Sequence, residues 1–83
     1  MVSAKILAEQ EGFSSLKAYY QHLVQIGFFK PSPQSYVGYV PIPAIGQLRV
    51  VKFIYKKGWQ VLFTKKAIQI INDLKKGQNR IAI

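Results

Sequence analysis

The chain of 83 residues carries twelve Lys and Arg against three Asp and Glu, a formal net charge of +9, and contains no cysteine. Its length predicts one domain, 1–83, and an apolar content of 49% argues against a disordered chain. The lack of cysteine excludes disulfides and thiolate metal sites, and no apolar run reaches the roughly 18 residues of a membrane span.

The charge is distributed unevenly along the chain. In residues 1–29 two basic and two acidic side chains cancel, whereas residues 30–83 contain ten basic side chains and only Asp73. Such one-sided charge favours an acidic partner, with nucleic acid first and then an acidic protein or an anionic lipid. The alternative is a surface whose lysines serve solubility alone.

The N-terminal segment predicts two helices joined by a tight turn, the outline of a helix-turn-helix. Ser3 is placed to cap a first helix over residues 4–11, and Gly12 is placed to end it. Glu9 and Glu11 stand where a signal peptide needs apolar residues, so we expect a cytoplasmic protein.

The second helix is capped by Ser14 or Ser15 and ends at Gly27. Its apolar residues recur at the spacing of one buried helix face: Leu16, Tyr19, Tyr20, Leu23 and Ile26. Since Tyr19 and Tyr20 are adjacent, we expect one to point inward and the other outward.

The middle of the chain predicts an antiparallel sheet, because prolines exclude a helix over residues 28–34. Strands are expected over Ser35–Ile42, Gln47–Tyr55 and Trp59–Phe63. Residues 43–47 are expected to form a turn, and 56–58 to close a hairpin with Gly58 at positive φ. Trp59, which starts a strand in a small protein, is expected in the core.

Thr64 is predicted to cap a last helix over residues 65–76, which Gly77 ends. Lys65 and Lys66 begin this helix, where its dipole disfavours each of them by a few tenths of a kcal/mol. That conflict suggests a role for their charge besides stability. The tail, 77–83, is expected to be flexible, or to add a strand at its end.

The predicted order is therefore α-α-β-β-β-α, an α+β, winged-helix-like arrangement with a small antiparallel sheet and a basic β-hairpin as the wing. Two parts of the chain resemble the C-terminal DNA-binding domain of KilA-type phage antirepressors. The helical part shares Ala8, Gly12, Leu23 and Gly27 with the family pattern. The closing segment shares Phe63, Thr64, Ile68 and Ile71, although Ala67 stands where the family often has Gly. The resemblance implies DNA binding or control of phage gene expression, without catalysis.

Ten side chains make up the predicted nucleic-acid-binding surface. They are Ser14, Ser15, Lys17, Gln21, Arg49, Lys52, Lys56, Lys57, Lys65 and Lys66. Those of the second helix suit base edges and phosphates, and the hairpin and last-helix cations suit backbone phosphates. The alternatives are a solvated helix face and a sheet edge that lysines protect from aggregation. A face shared by Lys56 and Lys57 with Lys52, Lys65 and Lys66 would favour binding, and separate faces would favour a turn that its lysines keep soluble.

Aromatic residues interleave with these cations, and aromatics on a basic sheet can stack single-stranded bases. They are Tyr36, Tyr39, Tyr55 and Trp59. His22, the only histidine, predicts a residue on a helix surface rather than a metal ligand. Glu9 and Glu11 are two residues apart and point to different helix faces, so they form no catalytic pair. We therefore expect no enzyme activity and no cofactor.

These features favour a small basic regulatory protein that binds nucleic acid, most of all double-stranded DNA, and that originates from a phage or mobile element. One such unit gives a small interface, so a homodimer is a further option. Two alternatives stay open: a protein-interaction module that docks on an acidic partner, and an RNA- or ribosome-associated protein. The +9 charge fits all three.

Overall fold

Short helices and strands alternate in the computed structural model, which describes the backbone of residues 1–81 and the side chains of residues 1–76. This part of the chain contains four helices and five strands. In chain order they are β1 (Val2–Ser3), α1 (Ala4–Gln10), α2 (Leu16–Gln25), β2 (Phe29–Pro31), β3 (Tyr39–Pro41), α3 (Pro43–Gly46), β4 (Val51–Tyr55), β5 (Trp59–Phe63) and α4 (Lys65–Ile81). The expected α+β class with a small antiparallel sheet is confirmed.

The strands form two antiparallel sheets. In the larger one the spatial order is β1-β5-β4, so β5 lies in the centre, and its Phe63 pairs with Val2 on one side and Val51 on the other. In the smaller one β2 pairs with β3, with Phe29 opposite Pro41. Because β1 runs directly into α1, its pairing with β5 ties the start of the helical pair to the β4–β5 hairpin.

The predicted caps of the helical pair are confirmed. Ser3 Oγ accepts a hydrogen bond from the Ile6 N–H at 3.3 Å, and Ser15, not Ser14, accepts one from the Ala18 N–H at 3.1 Å. Past the helix ends, Gly12 and Gly27 have φ of +80° and +87°, the left-handed conformation that glycine adopts without a Cβ clash. These local signals therefore define both helices.

The expectation that one of Tyr19 and Tyr20 points outward is wrong, because their exposed fractions are only 2% and 5%. Tyr19 packs against Phe13 of the interhelical turn, with ring centroids 5.1 Å apart. Tyr20 packs against Phe29 and Tyr39 of the β2–β3 sheet at 5.9 and 5.3 Å. Non-local elements thus cover two sides of α2. The largest fully buried side chains of the core are Leu23, Phe28, Phe29, Val61 and Phe63.

The segment between α2 and the β4–β5 hairpin differs from its prediction. The strand expected over Ser35–Ile42 is shortened to Tyr39–Pro41, because Ser35 forms a turn in which its Oγ donates to the Tyr39 carbonyl at 2.9 Å. Its partner is the unpredicted β2, whose Pro31 stands at the strand end, where proline is tolerated.

The turn expected over residues 43–47 is the one-turn helix α3, Pro43–Gly46. Turn hydrogen bonds continue beyond it, since the Arg49 N–H donates to the Gly46 carbonyl at 3.2 Å. The strand predicted from Gln47 therefore begins only at Val51.

The last helix begins as predicted, because Thr64 Oγ1 accepts a hydrogen bond from the Ala67 N–H at 3.2 Å. Ala67 and Ile71 of α4 are buried in the core. The predicted end at Gly77 is wrong, since α4 continues to Ile81, so residues 80–81 are helical and not part of a strand. Glycine inside a helix costs only about 1 kcal/mol, and no proline follows to stop it. Residues 82–83 lie outside the described part.

Candidate functional site

The β4–β5 hairpin positions most of the predicted cations. Tyr55 pairs with Trp59 as the last rung, and residues 56–58 turn the chain. Gly58 has φ of +116°, as predicted, and Lys57 also adopts positive φ, +55°. The Lys56 N–H donates to the Gly58 carbonyl at 2.9 Å, and Gln60 Nε2 donates to the Lys56 carbonyl at 3.1 Å. The tip is thus a hydrogen-bonded turn with two lysines on it.

The two faces of the hairpin differ in chemistry. Because side chains alternate along a strand, Phe53, Tyr55, Trp59, Val61 and Phe63 share the inner face. Lys52 and Ile54 lie on the outer face. The inner face is covered only near the base: Val61 is buried, whereas Trp59 and Tyr55 are 38% and 70% exposed. The expectation that Trp59 is a core residue is therefore wrong, because the hairpin extends beyond the helices that cover its base.

Trp59 instead belongs to an exposed aromatic cluster with Tyr36 and Tyr55. The rings of Tyr36 and Trp59 stack face to face, with centroids 4.1 Å apart and planes 9° from parallel. Tyr55 meets Trp59 edge to face at 5.5 Å and 67°. Tyr36 comes from the turn between β2 and β3, so the cluster joins the two sheets. The sequence indicated the aromatic composition, but nothing local predicts this contact.

The predicted hairpin and last-helix cations form two groups rather than one. The tip group is Lys56 and Lys57. The base group is Arg49, Lys65 and Lys66, which lie at the other end of β4 and β5. Thr64 connects the two chain segments that carry the base group, because its N–H and Oγ1 both donate to the Val50 carbonyl, at 3.0 and 3.1 Å. Five strand residues at about 3.4 Å each separate the two groups by roughly 17 Å.

The side of α2 that faces away from the core carries a row of polar side chains. Ser14, Lys17 and Gln21 are all exposed and recur at intervals of three and four residues, so they follow one side of α2. Ser15 is exposed as well, but its oxygen accepts the capping hydrogen bond. Of the four predicted residues in this region, Ser15 therefore has a clear structural role.

Two adjoining grooves connect the start of α2 with the aromatic cluster. One, of about 470 Å³, is lined by Ile6, Trp59 and Gln60 among others, and the second reaches Ser14 and Ser15. Their shared wall consists of Lys5, Glu9 and Leu16. A basic and an acidic side chain therefore border the path between the two predicted contact regions. Lys17 and Gln21 do not line it.

Electrostatics outside the hairpin centre on a single ion pair. Within residues 1–76, Lys75 is the only Lys or Arg with a carboxylate partner: its Nζ lies 3.2 Å from Glu11 Oε2. Every other Lys and Arg side chain in that range is exposed. The positive charge of the hairpin and the base group is therefore not neutralised by neighbouring carboxylates of the described part.

Three side chains of α2, Tyr19, Tyr20 and His22, have shifted pKa values. Burial raises the pKa of Tyr19 to about 12, with a further contribution from the Glu11 carboxylate, and burial alone raises the pKa of Tyr20 to about 12. His22 is partly buried against Phe13, with ring centroids 5.1 Å apart. Burial and then the Lys75 charge lower its pKa.

The described residues provide neither a metal-binding cluster nor a membrane-spanning helix. These contain no group of three His, Cys, Asp or Glu side chains placed to hold a metal ion. Their helices include none that is long and apolar enough to cross a bilayer. A scan against protein-family models and searches of curated proteins and of solved structures find no match for this chain.

Proposed function

We propose that this chain is a small regulatory protein that binds double-stranded DNA. The observation that carries the proposal is the charge of the hairpin and its base. Six exposed cations there have no carboxylate partner within residues 1–76: Arg49, Lys52, Lys56, Lys57, Lys65 and Lys66. Exposed cations on a projecting element suit backbone phosphates, because binding releases the counterions that DNA condenses.

The separation of the tip and base groups suits a duplex. B-DNA grooves are about 6 Å (minor) and about 12 Å (major) wide. The separation of roughly 17 Å between the two cation groups exceeds both widths, so the groups can contact phosphates on the two strands that border one groove. Lys52, on the outer face of the hairpin, adds a third position between them.

The topology supports a winged-helix interpretation. A two-residue strand precedes the helical pair, and the sheet order β1-β5-β4 places the hairpin beside that pair. In this interpretation the hairpin is the wing, and α2 presents Lys17, Gln21 and Ser14 to base edges or phosphates. The resemblance to KilA-type antirepressors supports a role in controlling phage or mobile-element genes. The proposal includes no catalytic step.

Salt-dependent binding to a labelled duplex tests the proposal. If four to six cations contact phosphate, the logarithm of the association constant falls against the logarithm of salt concentration with a slope of about −4 to −5. Single-stranded DNA and structured RNA of the same length, measured at the same salt, identify the preferred nucleic acid. No duplex binding at low salt, or a slope near zero, would overturn the proposal and favour an acidic protein partner.

A further inference from the structure

We propose that Tyr36, Trp59 and Tyr55 form a platform on which one unpaired nucleobase of a bound strand stacks. This platform deepens the proposed function, since it names a form of nucleic acid that the hairpin recognises. The cluster is unusual because the other aromatic rings are buried or partly buried, and Phe28, Phe29 and Phe63 are fully buried. Tyr36 and Tyr55, by contrast, are 76% and 70% exposed.

The geometry of the stack provides a surface for another planar ring. Trp59 covers one face of Tyr36, with planes only 9° from parallel. Since Tyr36 is still mostly exposed, its second face is open. A base placed on that face continues the series Trp59, Tyr36, base, each ring parallel to the last. Every nucleobase has such a face, so this contact tolerates any sequence.

The cavity beside the stack has room for the edge of such a ring. Its lining combines apolar side chains with polar ones: Phe53, Val40 and Trp59, and Ser32, Gln34 and Ser35. Apolar side chains can cover the face or edge of a base, and hydroxyl and amide groups can bond to its polar atoms. The surroundings of Tyr36 thus offer both kinds of contact that base recognition uses.

Charge favours a nucleic-acid strand over an aromatic peptide as the occupant. Lys56 and Lys57 lie in the chain between Tyr55 and Trp59, so cations adjoin the platform. The segment 12–72, which contains the whole cluster, has no Asp or Glu. A nucleotide strand brings negatively charged phosphates to these lysines together with its bases, whereas a peptide supplies negative charge only if it contains acidic residues.

The platform selects unpaired bases because a base inside a duplex already has a neighbour on each face. Single strands, frayed ends and locally opened duplexes expose the free face that the stack requires. The duplex interaction of the wing and the base interaction of the platform are therefore separable, which allows each to be tested without the other.

Trp59 reports on the platform because it is the only tryptophan in the chain and stacks on Tyr36. We would excite it selectively and titrate the full chain with a short thymidine oligonucleotide, and in parallel with an abasic strand of equal length. The expected result is quenching by the thymidine strand and little response to the abasic strand, which supplies the same phosphates without bases. Equal responses to both strands would overturn the platform.

The variant Tyr36→Ala provides the second arm, with Tyr36→Phe as the matched control. Loss of one base stack should weaken binding of a labelled thymidine strand by roughly 5- to 150-fold. Tyr36→Phe keeps the ring and should bind as the original chain does. Because Tyr36 is mostly exposed, both variants should unfold at similar denaturant concentrations. Unchanged strand affinity in Tyr36→Ala would overturn the platform.

Duplex binding distinguishes this inference from the proposed function. Tyr36→Ala should leave duplex affinity and its salt slope unchanged. A chain that binds duplex DNA but shows no base-dependent response of Trp59 retains the proposed function and loses the platform. A chain that fails to bind duplex at low salt loses the proposed function, and the strand titration then decides the platform alone.

Discussion

Lys75 Nζ lies 3.2 Å from Glu11 Oε2, an ion pair that joins residues 64 positions apart. The pair links α4 to the end of α1. Both side chains are more than a third exposed, so solvent screens the ion pair. We therefore expect it to contribute less than about 1 kcal/mol to stability. Its two charges nevertheless act on His22 of α2 in opposite directions, since Lys75 lowers the His22 pKa and Glu11 raises it.

We therefore predict that neutralising each partner moves the His22 pKa in opposite directions. Lys75→Gln should raise it, because a nearby positive charge is removed, and Glu11→Gln should lower it, because a negative charge is removed. The imidazole proton shifts in an NMR pH titration measure both changes, and Lys76→Gln serves as a control with the same loss of charge. Shifts of the same sign for Lys75→Gln and Glu11→Gln would contradict the assigned geometry.

The lowered His22 pKa also predicts how stability depends on pH. Burial, the larger cause, disfavours the imidazolium in the folded state, so the unfolded chain binds a proton more readily. The contribution of the neutral imidazole to the free energy of unfolding should be fully present above the unfolded pKa of about 6.5. It should decrease as the pH falls through that value toward the folded pKa.

Urea unfolding at pH values from about 7.5 down to about 5.5 measures this effect, because carboxylates with ordinary pKa values titrate below that range. The variant His22→Gln cannot take up the proton, so its midpoint should change less over the same interval. An equal change in both proteins would show that another group is responsible.

Thr64 has two roles that one substitution tests. Its Oγ1 accepts from the Ala67 N–H and donates to the Val50 carbonyl, so it caps α4 and joins the two ends of the β4–β5 hairpin. Thr64→Val keeps the shape but loses the hydroxyl, and we expect it to lower the free energy of unfolding by about 0.5–2 kcal/mol. Thr64→Ser retains both hydrogen bonds and should stay close to the original chain. Urea midpoints provide the comparison.

Gly58 and Gly46 form a matched pair for testing backbone strain. Gly58 has φ of +116°, whereas Gly46 lies in α3 without positive φ, and a Cβ at either position meets no atom within 4 Å. Gly58→Ala should therefore destabilise through backbone strain alone, by at least about 1 kcal/mol. Gly46→Ala should be neutral or stabilising by up to about 1 kcal/mol, because it restricts the unfolded chain. Denaturant unfolding that reverses this order would contradict the turn geometry.

Local signals made the helix starts and the hairpin predictable. Ser3 and Thr64 cap helices with their own hydroxyl groups, and Gly58 adopts the positive φ that its turn requires. Each of these depends on residues within a few positions, so a short stretch of sequence contains the information. Gly77 shows the limit of such signals, since a glycine permits a helix end without imposing one.

Contacts between distant segments were not predictable in the same way. Tyr36 and Trp59 stack although neither lies near the other in sequence, and Tyr20 is buried because the β2–β3 sheet covers it. The exposure of Trp59 depends on how far the hairpin extends beyond the helices, a property of packing rather than of local pattern. Likewise, the division of the cations into tip and base groups follows from the strand length once the pairing register is known.

The tip and base groups lead to the last prediction, which concerns DNA binding. Each cation that contacts a duplex phosphate contributes about 0.9 to the salt slope. The double variant Lys56→Gln/Lys57→Gln should therefore reduce the magnitude of the slope by about 1.8, and Lys65→Gln/Lys66→Gln should do the same. Lys30→Gln/Lys76→Gln removes the same charge from exposed positions outside both groups and should change the slope little.

This third variant shows whether the position of the removed charges, and not only their number, affects DNA binding. All three double variants lower the net charge equally, so a diffuse attraction between the +9 chain and DNA predicts equal changes in slope. Direct phosphate contacts at both ends of the hairpin predict changes only for the tip and base variants. If only one of those two variants changes the slope, the footprint is confined to that end, and the groove-spanning arrangement is wrong.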